Sequence, residues 1–370
     1  MNHKSPLLKT TSTRSVLKLG FVPLADCAPI VMAQELGLFR KHGLRVMLNR
    51  ELGWATIRDK VIHGELDAAH ALAAMPVAAT LGLGSIECAC LTALVLNLNG
   101  NAITLSNDLY RQGVRDGAGL RERIIASRHK QTFTFGIVSN FSSHNFLLRK
   151  WLSSAGINPD RDVRIVVVPP PQMVANLKAG HLDGFCVGEP WNSVAVQAKA
   201  GWCVATSAEL QPGHPEKVLM VRRDFAETRN DEHLALVAAL LEACEFCEAP
   251  EHRDQLLEVL KRPEYVNVPA EALRRGFEGR FDFGHGNVRA VRDFCVFHQE
   301  HSNEPSSDKA AWVFQLIRSV NMCKHPAALN FALGRNVFRA DLFEQAAALR
   351  CSNQLNHEKE SQSETHILQA

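Results

Sequence analysis

Four short runs of this chain carry residue types suited to holding a small charged group. Leu52-Gly53-Trp54-Ala55-Thr56-Ile57-Arg58-Asp59 sets a tryptophan between a strand pattern and a helix pattern. From such a turn the indole N–H can project at the carboxyl ends of strands, where ligands gather in open α/β sheets; the plain alternative is a core tryptophan. Val138-Ser139-Asn140-Phe141-Ser142-Ser143-His144-Asn145 leads from a strand into a helix. Ser142 or Ser143 can cap that helix, its start attracts small anions through unpaired N–H groups, and His144 adds a donor. The alternative there is a capped helix with His144 on its surface. Val168-Pro169-Pro170-Pro171-Gln172 and Phe185-Cys186-Val187-Gly188-Glu189-Pro190-Trp191 are two further strand-to-helix turns. Gly188 lets backbone come close to a ligand, and Glu189 is an acceptor for His144, Lys217 or a protonated ligand. In His214-Pro215-Glu216-Lys217, Lys217 falls where the chain would cross back from a second lobe to a first. It is a compact cationic anchor for a small anion, or else an ordinary solvated lysine.

No catalytic set emerges from these runs. The chain has no G-x-x-x-x-G-K-[ST], G-x-G-x-x-G or G-x-S-x-G motif. His144 adjoins serines, but neighbours at a helix start rarely point at one another, and no orienting acid is evident. A non-enzymatic binding protein is expected. Cys244-Glu-Phe-Cys247 sits in a helical pattern without a second pair or a histidine doublet, so neither a metal nor a cofactor is expected.

The elements that must position these residues alternate. Strand patterns at Val16–Pro23, Leu44–Leu48, Asp67–His70 and Cys88–Leu96 interleave with helical ones at Ala28–Arg40 and Arg58–His63. The plan restarts at Gln131: strands at Phe133–Val138, Val163–Val168 and Gly184–Val187, helices at Ser142–Ala155, Pro171–Ala179 and Pro190–Ala200. Such alternation with short loops signals parallel α/β sheets. After about residue 217 the pattern is mainly helical. The expected fold is two α/β lobes with a ligand cleft between them. Lobe 1 takes residues 16–105 and 218–350, lobe 2 takes 106–217, and a flexible segment 1–15 and a polar tail 351–370 flank them.

Composition agrees with a binding protein of this kind. The 370 residues include 41 Lys+Arg and 39 Asp+Glu, a formal charge of +2, which lacks the basic surplus of a nucleic-acid binder. No nucleic-acid or membrane partner is expected. Lys4, Lys9, Arg14 and Lys18 interrupt every apolar run near the start, where a secretory signal needs about 7–15 apolar residues. Ten cysteines, mostly in apolar runs, fit a reducing compartment. A cytoplasmic location is the expectation.

Together the runs Leu17–Pro29, Trp54–Asp59, Val167–Asn176, Phe185–Trp191 and His214–Lys217 resemble the nitrate and bicarbonate solute-binding proteins of ABC transporters. The resemblance extends over about residues 16–350 and implies a two-lobe, type II periplasmic-binding-protein-like fold. It implies anion contacts from Trp54, His144, Gly188 and Lys217, with Pro170 in the cleft. Asn101 stands where those proteins usually carry Gln, and Phe141, Ser142 and Ser143 replace glycines before the histidine. Nitrate is planar and offers acceptors only, so donors from several directions suit it. Without an export signal, the chain is most similar to cytoplasmic nitrate sensors of the NasS type. Those imply a nitrate- or nitrite-responsive regulator of an ANTAR-domain, RNA-binding antiterminator that governs nitrate assimilation genes. The alternative is a periplasmic nitrate or bicarbonate receptor of a transporter. An enzyme of the same two-lobe fold, making a thiamine pyrimidine precursor, would need a Cys/His cluster that the sequence does not offer.

Overall fold

A computed structural model describes residues 15–128, 130–320, 323 and 325–351. The segment expected at 1–15 and the tail at 351–370 therefore lie almost wholly outside the described residues. Among the described residues, thirteen strands form three sheets: β1 (Leu17–Phe21), β2 (Val46–Arg50), β3 (Ala68–Leu72), β4 (Cys90–Asn99), β5 (Asn101–Ser106), β6 (Thr134–Ile137), β7 (Arg164–Val167), β8 (Gly184–Gly188), β9 (Gly201–Thr206), β10 (Pro215–Arg222), β11 (Arg280–Asp282), β12 (Val288–Ala290) and β13 (Cys295–Val296). The first sheet has the order β13-β4-β10-β3-β1-β2, the second β7-β6-β8-β5-β9, and β11-β12 is a hairpin.

Both large sheets are mixed rather than purely parallel. β1 runs parallel to β2 and β3, and β6 to β7 and β8. β10 is antiparallel to β3 and β4, and β5 to β8 and β9. The antiparallel strands are those that pass between the sheets. Only Gly100, at φ +96°, separates β4 from β5. A parallel return needs a crossover of a dozen or more residues, and one glycine in a left-handed conformation instead turns the chain from one sheet into the next. The way back lies between Thr206 and Pro215. The sheets thus exchange the chain a few residues before the positions 105 and 217 expected from the sequence.

Helices cover these sheets where apolar spacing demands it. Asn230–Glu248 packs on Ala28–Glu35, burying Leu236, Ala239, Leu240, Ala243, Cys244 and Cys247 in one core with Leu19, Phe21 and Leu94. Cys244 and Cys247 are therefore buried helix residues, and burial pushes both thiols up. A second core is continuous across the lobes. It joins Trp54, Ile57, Val77 and Val218 of the first to Val138, Phe141, Phe185 and Val187 of the second. Among the described residues, no helix is long and apolar enough to cross a membrane.

Candidate anion site between the sheets

Lys217 is the centre of the site, and it is not a loop lysine. It lies inside β10, opposite Leu72 of β3, and is fully buried. An ammonium survives burial only beside counter-charge, and two carboxylates supply it. Asp26 Oδ2 and Glu216 Oε1 each stand 2.7 Å from Lys217 Nζ. Burial works to lower the lysine, but the two carboxylates prevail and raise it. Burial likewise works to raise Asp26 and Glu216, and Lys217 chiefly holds both below the usual carboxylate range.

Each partner arrives from a different element. Asp26 sits in the 3-10 turn Ala25–Cys27 that follows β1. His70 of β3 places Nε2 3.0 Å from Asp26 Oδ1, off the alignment of a hydrogen bond. Glu216 Oε2 accepts from Asn101 Nδ2 at 2.6 Å, from the Ser143 hydroxyl, and lies 3.1 Å from His214 Nε2. His214 Nδ1 meets the Gln211 carbonyl at 2.8 Å. Ser142 caps the helix Ser143–Ser154 by accepting from Asn145 N–H, which leaves the Ser143 hydroxyl free for Glu216. That commitment separates Ser143 from His144, so they make no nucleophile–base pair.

His144, at the second position of this helix, is fully buried and 3.7 Å from Glu216 Oε1, too far for a hydrogen bond. Neither of its ring nitrogens has a partner. Burial is the main force bringing its pKa down, to about 4, with Glu216 opposing and Lys217 assisting. Trp54 opens the helix Trp54–Ile62, four residues earlier than the expected start at Arg58, because Gly53 takes the extended N-cap position. Its indole N–H is buried without a partner, and its ring lies 5.4 Å from Lys217 Nζ. Gly188 ends β8 against the same cluster: a Cβ there would stand 3.4 Å from both Asn101 Oδ1 and Asp26 Oδ2.

Five of the expected residues thus converge: Trp54, Asn101, His144, Gly188 and Lys217. Glu189 does not join them through its side chain. Its carboxylate turns to Ser193 N–H and packs beside Gly276, and burial pushes it up to about 7. Its backbone instead stitches the lobes, the carbonyl accepting from Ala25 N–H at 2.7 Å. Pro170 is buried in the 3-10 turn Pro170–Gln172 beyond β7. Asp26, His70, His214 and Glu216 are site residues that the reading of the sequence did not single out. Their only signal was a place inside the quoted runs, and His70 lacked even that. Among the described residues no cluster of His, Cys, Asp and Glu suits a metal ion; here Lys217 fills the space between the carboxylates. A cavity of about 200 Å³ opens on the seam, lined by Trp54, Arg58, Met75, Gly84, Val138 and Phe141 among others.

The arrangement is a buried polar cluster whose unpartnered groups are the Trp54 indole N–H, the imidazoles of His144 and His70, and the acceptor oxygens Asp26 Oδ1 and Asn101 Oδ1. Comparison with known proteins shows the family. The NMT1-like family model matches residues 11–261. The nitrate import ATP-binding protein NrtC of Synechocystis is 43% identical over 89% of this chain and 49% of its own length. The chain thus spans about half the length of such curated relatives. The nitrate/nitrite binding protein NrtA of Nostoc is 35% identical over 83% of this chain and 70% of its own. The crystal structure of the periplasmic nitrate-binding protein NrtA from Synechocystis superposes with a TM-score of 0.86 at 28% identity, covering 91% of this chain and 89% of that one. The chain belongs to the NMT1-like family and is a homologue of the NrtA nitrate-binding proteins.

Proposed function

We propose that this protein binds nitrate or nitrite in the seam between its two large sheets, as a solute receptor serving an anion import system. The observation that carries the reading is that Trp54 Nε1 and the His144 imidazole are buried and unpartnered in one cluster, the Trp54 ring 5.4 Å from Lys217 Nζ and His144 Nε2 3.7 Å from Glu216 Oε1. A planar anion with acceptors only would satisfy the indole N–H and the single N–H of a neutral His144, and a buried donor left unpaired otherwise costs about 1–3 kcal/mol. Likeness to the nitrate-binding relatives supports the ligand, and likeness to import components supports the setting. Bicarbonate is the competing ligand, since its O–H could donate to Glu216 or Asp26.

A second reading makes the chain a nitrate-responsive cytoplasmic sensor that controls an ANTAR-type antiterminator. One observation favours it: identity to NrtC, named as an ATP-binding component, is 43%, against 35% to the binding protein NrtA. The shared fold therefore also occurs within chains that are not receptors by name. Calorimetric titration with nitrate, nitrite and bicarbonate tests the ligand. Saturable nitrate binding, weakened at least tenfold in Trp54→Phe, is the expected result. Binding of bicarbonate alone would sink the nitrate reading. Mixing with a purified ANTAR antiterminator, with and without nitrate, separates the two settings: a complex that nitrate dissolves selects the sensor.

A further inference from the structure

We propose that the cleft takes up its anion together with one proton, and that His144 holds that proton in the complex. The proposal rests on the reading of the cleft as a nitrate site and adds a stoichiometry to it.

The cluster around Lys217 carries no spare positive charge. Lys217 is the cation expected to anchor the ligand, but Asp26 and Glu216 share it, each at 2.7 Å. Its single charge is already outnumbered. His214 faces an acceptor from each ring nitrogen, the Gln211 carbonyl and Glu216 Oε2, an arrangement that an imidazolium satisfies fully. With His214 charged, the four groups sum to zero; with it neutral, they sum to −1. In neither case is a positive charge left over for an incoming anion. Arg58, at the cavity, is engaged by Asp59 at 2.7 Å. A buried monoanion without a counter-charge is strongly disfavoured.

His144 is the group positioned to supply the missing charge. It is fully buried, it has no hydrogen-bond partner at either nitrogen, and it stands at the start of a twelve-residue helix with Nε2 3.7 Å from Glu216 Oε1. The charged and titratable groups facing it are Glu216, Lys217 and His214 from β10 and its approach, and Asp26 from the turn after β1. His70 of β3, also without a hydrogen-bond partner, stands 3.0 Å from Asp26 and against the Trp54 ring. Cys186, on the neighbouring strand β8, is buried and pushed well up, hence neutral. Helix Ser307–Ser319 presents Trp312 to His214 and Phe146, and turns Lys309 to the carbonyls of His301 and Glu304. Burial by itself favours neutral His144. An anion in contact with its ring reverses the balance, since imidazolium and nitrate then cancel each other in a low-dielectric pocket.

The test is calorimetry of nitrate binding to the full chain at one pH in bis-tris and in tris. Both buffers are cationic, and their ionisation heats differ. The difference in apparent heat gives the number of protons taken up. A value near one is expected, with affinity falling about tenfold per pH unit between pH 6 and 8. In His144→Gln the uptake should fall toward zero and the affinity should lose its pH dependence; circular dichroism confirms that the variant is folded. Nitrate binding with no proton uptake overturns the proposal and leaves the nitrate site standing. Uptake that persists in His144→Gln overturns the assignment to His144. Absence of nitrate binding at every pH overturns the site itself and this proposal with it.

Discussion

At the scale of single residues, the site is a buried ion cluster whose members were unequally visible beforehand. Trp54, His144 and Lys217 announce themselves by type, because an indole and an imidazole at strand-to-helix turns and an ammonium at the crossing between lobes suit an anion. Asp26, Glu216 and His70 do not. A carboxylate in a sequence looks the same whether water or a lysine 191 positions away solvates it, as with Asp26 and Lys217. The pairing sets the energetics. Removing one partner of a buried ion pair leaves an uncompensated charge and costs about 3–5 kcal/mol. Lys217→Met should therefore lower unfolding stability by about that amount in urea titrations, as well as abolish nitrate binding. Asp26 depends on Lys217 and His70 alone, whereas Glu216 keeps donors from Asn101, Ser143 and His214. Asp26→Asn added to Lys217→Met should then recover much of the stability and none of the binding. If the double variant is no more stable than Lys217→Met, Asp26 is not the stranded charge.

At the scale of elements, the parallel βα units were legible and the strands between the sheets were not. Periodicity and terminal glycines marked helices such as Ser143–Ser154 and strands such as β6 to within two residues. β10 begins Pro-Glu-Lys, which by composition is loop, and only pairing to β3 and β4 on both sides makes it a central strand. β5 follows β4 after one glycine, so a nearly continuous extended pattern hides a change of sheet. These crossings hold the site, since Asn101 opens β5 and Glu216 and Lys217 lie in β10. Close packing between strands makes a second demand that sequence alone does not show. A Cβ on Gly184 of β8 would stand 2.7 Å from the Thr104 carbonyl of β5, whereas a Cβ on Gly53 would meet nothing within 4 Å. Gly184→Ala must push two paired backbones apart and should cost about 1–3 kcal/mol. Gly53→Ser fills open space at a helix N-cap and should stay within about 0.5 kcal/mol of the parent. Equal melting temperatures for the two variants would refute the packing argument.

At the scale of the whole molecule, the two lobes meet over a continuous core and enclose titratable groups that burial keeps neutral. His144 is one and His233 another. His233 lies in the helix Asn230–Glu248, edge-on to Phe225, with neither ring nitrogen partnered. Burial first, and Arg339 second, brings it down to about 4. The sign follows from linkage: a histidine with its folded pKa depressed below 6.5 stabilises the fold fully above pH 6.5 and loses that contribution as pH falls toward 4. A shift of this size is worth about 3 kcal/mol for each histidine over that window. The protein should therefore lose stability steeply on acidification from pH 6.5, before its surface carboxylates titrate. His233→Leu keeps the apolar contact with Phe225 and removes the proton acceptor, so its melting temperature should fall less between pH 6.5 and 4 than that of the parent. Nitrate should relieve the share of the acid sensitivity that belongs to His144, which the proposed complex holds already protonated; His70, also pushed down by burial, keeps its own share. Melting profiles against pH, with and without saturating nitrate, separate the two contributions. If His233→Leu follows the parent curve throughout, burial of that imidazole is not what limits the fold in acid.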